Sequence, residues 1–287
     1  MKALIVTADD FGISRNINEA VVRAFREGIL TSASLVVGGS AFEHAVELAR
    51  ANPGLSVGLH VVLVQGKSIL PHKRIPNLVD RDNNFSHNPT RAGLKYFFRA
   101  STLKDIRDEL RAQIEKFLST GLPLDFINGH LNIHVHPRVF DIILELTDGL
   151  EMKNFRLPRE DLLRTLKCDM SGPASKLFNY VTFTLLSRRC AKALREKGFC
   201  FTDRVYGLLQ SGDMNAGYVA SIMGNLPEGT SEMYFHPCIM PCDEYSRWMP
   251  DYHPEEEFDV LVSKDISELL QADSVHLANY TTLKRKD

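Results

Sequence analysis

Short apolar runs of strand length alternate along this chain with stretches of helical periodicity. ALIVTA (3–8) predicts a first strand, and Ile17, Ala20, Val21, Ala24 and Phe25 recur at helical spacing behind Ser14, a suitable N-cap. TSASLVVGG (31–39) predicts a second strand. Phe42, Ala45, Val46 and Ala49 mark a second helix, which Asn52-Pro53-Gly54 ends, and LSVGLHVVL (55–63) predicts a third strand. Further on, Ile106, Leu110, Ile114 and Leu118 define one face of a helix over 103–119. LDFIN (124–128), NFRLP (154–158) and SEMYF (231–235) have strand character, Pro137 suits the first turn of a helix over 137–149, and a last helix covers 263–271.

Strand–helix alternation predicts an α/β fold with a parallel sheet covered by helices. Residues 1–287 form one catalytic domain in this reading, with no repeat, low-complexity tract or linker to divide it. The polar stretch 64–100 is too long for an ordinary connection and is expected to be an insertion loop over the site. The longest helical region, 173–197, contains KLFNYVTFTLL ahead of RRCAKALREK. Its apolar residues occupy more than one narrow face. Two readings stand for it: a buried core helix, or a lid offering apolar surface to a lipid-like substrate with its basic end near headgroups.

With 44% hydrophobic and 24% charged residues, the chain has material for a sizeable core. The formal charge of −2 and the scattered Lys and Arg leave no electrostatic footprint for nucleic acid. Of five cysteines, only Cys238 and Cys242 lie close together, and no second pair completes a zinc knuckle, so thiols in a reducing compartment are expected. The N-terminus enters an apolar strand at once and meets Asp9, unlike a signal peptide. No run reaches the ~20 apolar residues of a membrane span. A cytoplasmic protein is expected, with peripheral contact at the inner face of the membrane if the lid reading holds.

Polar residues stand at the carboxyl ends of separate apolar runs: Asp9 and Asp10 after the first, His60 after the third, Asn128 and His130 after the fourth, His236 after SEMYF. A barrel builds its site from such strand ends, and a Rossmann-type site would need a glycine-rich turn where this chain has ADDFG. The expectation is therefore a (β/α) barrel of distorted or incomplete TIM-like form. Strict alternation would point Asp9 and Asp10 in different directions, one toward a metal and the other toward substrate or water. An acidic turn capping the next helix is the plainer alternative. His130, His134 and His136 form H-x3-H-x-H, of which one or two are expected to touch a metal. Together with His60 and the acidic pair they supply a two-His, one-carboxylate set with open positions. His60 alone would equally suit a hydrogen-bonded core histidine. His236 fits general-acid work, or structural support before Pro237. Arg156 could clamp substrate oxygens or an acidic group.

LIVTADDFG with GILTSASLVVGG, then VGLHVVL, LDFINGHLNIHVHP and YFHP, taken in order, resemble the blocks of the YdjC-like (chitooligosaccharide deacetylase-like) family over almost the whole chain. FRLPRE (155–160), TDRVYGLLQSGDM (202–214) and the apolar helix before them are similar to that family's hopanoid-biosynthesis-associated branch. The resemblance implies a deacetylase-type barrel, one divalent ion (magnesium or zinc) on Asp10, His60 and His130, and Asp9 close to the reacting water. It also implies a substrate carrying an N-acetylated sugar, small or lipid-linked. On this basis Asp9 is expected as base and His236 as acid, with His134 second for that role, and Asn128 and Arg156 as substrate-binding residues. The chain departs from the family block at Asn128, Gly129, Leu131 and Asn132, where an aspartate, a serine and two histidines are usual. That keeps the metal site and favours an N-acetylglucosaminyl hopanoid over a chitooligosaccharide. A metal-dependent sugar isomerase or endonuclease on a similar barrel, and a sugar- or lipid-binding protein, are the alternatives. The first pair would carry more carboxylates at strand ends, and the binding protein would need neither Asp9 nor an acid.

Overall fold

The computed structural model describes residues 1–239 and 243–283, and Cys242 lies outside them. Among the described residues the chain runs β1 (Lys2–Phe11), α1 (Arg15–Glu27), β2 (Ser32–Leu35), α2 (Phe42–Ala51), β3 (Ser56–Val61), α3 (Pro89–Phe98), α4 (Ser101–Ser119), β4 (Ile127–Gly129), α5 (Pro137–Leu146), α6 (Leu162–Cys168), α7 (Pro173–Glu196), β5 (Arg204–Tyr206), α8 (Ala216–Met223), β6 (Gly229–Phe235), α9 (Asp243–Trp248), α10 (Pro254–Val262), α11 (Lys264–Ala272) and β7 (Val275–Ala278). A 3-10 helix, His130–Val135, joins β4 to α5.

All strand pairs are parallel, in the order β4-β3-β2-β1-β6-β5. β1 is central: Lys2–Ala8 pair with β6, its carboxyl half with β2, and Lys2–Ile5 with β7. Beyond β4 the hydrogen bonding continues through bridges from Ile127 to Phe155 and from Asn154 to Cys200, and through the Val205 N–H to the Arg159 carbonyl next to β5. The sheet thereby curls round as the expected barrel in a distorted form, with the NFRLP segment contributing bridges rather than a full strand. Burial on both faces is why β1 to β3 read as nearly continuous apolar runs.

Two backbone irregularities shape the carboxyl end of the barrel. The β1–β2 register shifts between Ala8 and Phe11, and Asp10 has φ 65°, a conformation few non-glycine residues adopt. Leu131 and Asn132 are also left-handed, at 49° and 54°. Strain of this kind persists only where the surroundings impose it, and it clusters at functional sites.

The stretch 64–100, expected as loop, ends in helix α3, whose start is set by the Asn88 side chain accepting from the Arg91 N–H and by Pro89 in the first turn. Its earlier part is tied down: the buried Glu109 carboxylate accepts from the Ile69 and Leu70 N–H groups, and Asp105 holds Asn77. Helix α7 divides into two halves. Ser187, Cys190, Ala191 and Leu194 of its carboxyl half are buried, whereas up to Leu186 only Lys176 is. Leu177, Phe178, Val181 and Leu185 stay exposed. No helix among the described residues is long and apolar enough to cross a membrane.

Candidate active site

The β1 irregularity defeats the alternation expected of Asp9 and Asp10. Both carboxylates turn into one buried cluster at the carboxyl end of the barrel, on either side of His60. Asp10 Oδ1 lies 3.2 Å from His130 Nδ1 and 3.5 Å from His60 Nε2. Asp9 Oδ1 accepts from Ser34 Oγ (2.8 Å) and Asn128 Nδ2 (3.1 Å), and its Oδ2 from Arg156 (2.6 Å).

Asp10, His60 and His130 come from β1, β3 and the turn after β4. One ligand atom from each lies within 4.8 Å of the others, the only such three-residue group of His, Cys, Asp and Glu found among the described residues. Asp10 Oδ2, His60 Nε2 and His130 Nε2 are buried without a hydrogen-bond partner. Three orphaned buried polar atoms in one place would each cost free energy in a closed site. A divalent cation could take one ligand atom from each of the three residues, so they fit a metal. His60 is oriented for it: Nδ1–H points to Asn128 Oδ1 (2.8 Å) and Ser34 Oγ (2.9 Å), leaving the Nε2 lone pair free. Burial works against the ionised Asp10, but His130 at contact, together with His60 and His236, holds the carboxyl near 2.

Asn128 and Arg156, expected to bind substrate, have other work. Asn128 is fully buried and spends both ends of its amide on His60 and Asp9. Arg156 is 1% exposed, and its guanidinium bonds Asp9 on one edge and Glu232 on the other (2.7 and 3.0 Å), over the ring of Tyr234. Both edges of that cation are taken up by carboxylates, and the side chain is closed off from solvent. Its effect falls on Asp9: burial raises that carboxyl, yet Arg156 at contact, with His60 nearby, holds it well below the usual range. Glu232, which Thr7 and Tyr280 also hold, was not anticipated, nor was Ser34. A lone acid in the apolar run SEMYF was the available sign for Glu232.

His236 follows β6 and is buried beneath Tyr252, ring centroids 4.8 Å apart, with Tyr234 and Tyr245 edge-on. Its backbone N–H donates to Glu257, whose carboxylate also lies 3.8 Å from the ring Nδ1. Burial pushes the imidazole down to about 4 against the pull of Asp10 and Asp9, and pushes the Glu257 carboxyl up to about 8. His134 faces elsewhere. Its Nε2 meets the Arg156 carbonyl at 3.0 Å, and burial drives its pKa to about 3, so it is a neutral donor fixing the segment that carries Arg156. His136 likewise bonds the Gly93 carbonyl of α3.

The model of the family described as YdjC-like protein matches residues 3–272. A carbohydrate deacetylase of Brevibacillus brevis is 41% identical over 145 residues, 50% of this chain and 55% of that protein. One from Thermoanaerobacter pseudethanolicus is 25% identical over 288 residues, 99% of this chain and 100% of its own. A chitooligosaccharide deacetylase of Serratia marcescens is 33% identical over 171 residues, 57% and 62% of the two chains. The chain thus spans a little over half the length of the relatives it matches at higher identity. A solved structure from Enterococcus faecalis V583, provisionally described as a cellobiose-phosphate cleavage protein, superposes with a TM-score of 0.76 at 22% identity and covers 98% of both chains, which shows the shared fold. With the family model spanning the barrel from β1 to α11 and every residue of the buried cluster inside it, this chain belongs to the YdjC-like protein family.

Proposed function

We propose that this chain is a metal-dependent carbohydrate N-deacetylase acting on an N-acetylglucosamine unit attached to an apolar aglycone, a glycosylated hopanoid. The observation that carries the chemistry is the convergence of Asp10, His60 and His130, with their unpartnered atoms, beside an ionised Asp9. The names of the relatives support the reaction class.

A divalent ion held by Asp10, His60 and His130 would polarise the acetamide carbonyl and favour the oxyanion of the tetrahedral state. Magnesium and zinc are the candidates, and two imidazoles weigh toward zinc. Asp9 is held ionised by Arg156, and it accepts the proton of the attacking water. Ser34 and Asn128 keep its carboxylate in one orientation. His236 delivers a proton to the departing nitrogen as the C–N bond breaks, leaving acetate and a free amine. Its imidazole is hard to charge in this buried site, and Asp10 and Asp9 favour the protonated form that the step needs, with the Glu257 carboxyl 3.8 Å from Nδ1.

Three features support the lipid-linked substrate: the departure from the family block at 128–132, the resemblance to the hopanoid branch, and the exposed apolar face of α7. That face gives a flat aglycone a surface to cover at about 25 cal/mol per Å² of apolar area. In this reading the enzyme works in the cytoplasm at the inner face of the membrane. The test compares kcat/KM for a lipid-linked N-acetylglucosamine and for free chitobiose, on the wild type and on Phe178→Ser/Val181→Ser. The lipid-linked sugar should be preferred and should alone suffer from the substitutions. Chitobiose processed equally well by both proteins would overturn the assignment.

A further inference from the structure

The sequence of α3 and its flank, residues 89–100, contains Arg91, Lys95 and Arg99 and no acidic residue. The three cations share one side of the helix at intervals of four and line a cavity of about 420 Å³ with Leu78, Ser86 and Phe98. None of them makes an ion pair among the described residues. Asp105, the acid whose field reaches Lys95, is hydrogen-bonded to Asn77, and the two arginines together with partial burial lower the Lys95 pKa. Three mutually repelling cations around an open pocket form a receptor for an anion. Beside them Leu94, Phe97 and Phe98 are exposed, Phe98 at 74%.

Helix α7 repeats the combination. Residues 173–195 contain no acid, in a chain whose net charge is −2; Lys176 is buried on Asp169 and Arg189 is paired with Asp141, which leaves Arg188, Lys192 and Arg195 for the surface. Leu177, Val181 and Leu185 recur at intervals of four, with Phe178 alongside, all exposed. Both helices pack on α5: Arg138 of α5 lies over Phe97, and Arg189 of α7 bonds Asp141 of α5 at 2.8 Å. The acids of α5 are already paired, Asp141 with Arg189 and Glu145 with Arg107.

We infer that the faces of α3 and α7 seat this protein on an anionic lipid bilayer, the Arg91–Lys95–Arg99 pocket taking a headgroup phosphate and the exposed Leu and Phe side chains entering the interface. The combination of exposed apolar side chains with unpaired cations fits a bilayer better than a second copy. A copy docked by the same face would oppose cation to cation. Both helices adjoin the segment that carries His130 and His136, so a sugar presented from the membrane would approach the buried cluster without a long transfer. Phe178 and Val181 also belong to the face proposed for the aglycone, so the Arg91–Lys95–Arg99 pocket on α3 separates the two readings, and its test uses no turnover.

Purified protein would be floated with vesicles of phosphatidylcholine alone and of phosphatidylcholine mixed with phosphatidylglycerol, at low and high salt, with thermal melts as a check on folding. Binding should appear with the anionic vesicles and weaken with salt. It should fall by about a hundredfold or more in Arg91→Glu/Lys95→Glu/Arg99→Glu, on the basis of about fivefold per cation near the surface. Phe98→Ser/Phe178→Ser, which leaves the charge alone, should also weaken it. No preference for anionic vesicles, or unchanged binding by the folded triple variant, would overturn the proposal. So would calorimetric binding of inorganic phosphate at the pocket without vesicle binding, or a dimer in solution that the triple variant dissociates.

Discussion

Replacing Arg156 with Met removes the one cation between two buried carboxylates. Arg156 donates to Asp9 at 2.6 Å and to Glu232 at 2.7 and 3.0 Å, all with near-zero exposure. Deleting one partner of such a buried network costs about 3–5 kcal/mol, because the charges left behind cannot reach water. At about 2–4 °C per kcal/mol the melting temperature should fall by on the order of 10 °C. The loss should depend on pH. Asp9 is held below its unfolded value of about 3.9, so it stabilises the fold above that value, and the contribution is lost as pH falls through the folded pKa. The gap between wild type and Arg156→Met should therefore be full at pH 7 and narrow with acid, first as the Asp9 carboxyl of the variant, raised by burial once its cation is gone, takes up a proton, and then below about pH 4 as the wild type loses the Asp9 contribution. Urea unfolding of both proteins across this range measures it, and Arg156→Lys, which keeps the charge without the fork, should fall between them. Deacetylation should drop with kcat rather than KM, since Arg156 positions Asp9 and does not touch substrate. Equal stability at pH 7, or a gap that persists undiminished into acid, would rule out this role for Arg156.

Asp9→Asn should abolish most turnover while metal content stays near that of the wild type, and Asp10→Asn should lower both; equal metal loss in the two, measured by elemental analysis, would remove the separate role of Asp9. Asn128→Leu with Ser34→Ala takes away both acceptors of His60 Nδ1–H, so metal affinity should fall by about 10- to 100-fold, measured by competition with a chelator, and an unchanged affinity would contradict that orientation. His236→Ala should cut kcat by about 10²–10⁴ with metal content intact, and a substrate with a better leaving group than an alkyl amine should recover part of the loss; a uniform loss on both substrates would speak against proton delivery.

The barrel and the residues at its strand ends were legible because periodicity and strand termini are local properties. Asp9, Asp10, His60, His130 and His236 each end an apolar run, and parallel topology brings such ends to one side of the sheet. What each does there depends on partners distant in sequence. Arg156 could not be paired with Glu232 in advance, nor Asn128 with both His60 and Asp9, since these contacts follow from which strands sit across the barrel. The positive φ of Asp10 could not be read from ADDFG, and it is what turns two adjacent carboxylates into one cluster. Helix α3 escaped notice inside a polar insertion although Asn88-Pro89 carried its start signal. The short β7 escaped because His276 and Leu277 are exposed, leaving no alternation to detect. The two halves of α7 explain why neither a core helix nor a lid alone describes 173–197.

The proposed function stands or falls on whether a divalent ion on Asp10, His60 and His130 is required to release acetate from an N-acetylglucosamine unit. Acetate release by the metal-stripped protein, followed through titration with zinc or magnesium, tests it directly. Release should be negligible without metal, recover fully near one ion per chain, and not recover in His60→Ala/His130→Ala. Undiminished acetate release by stripped protein, or by that variant, would contradict it.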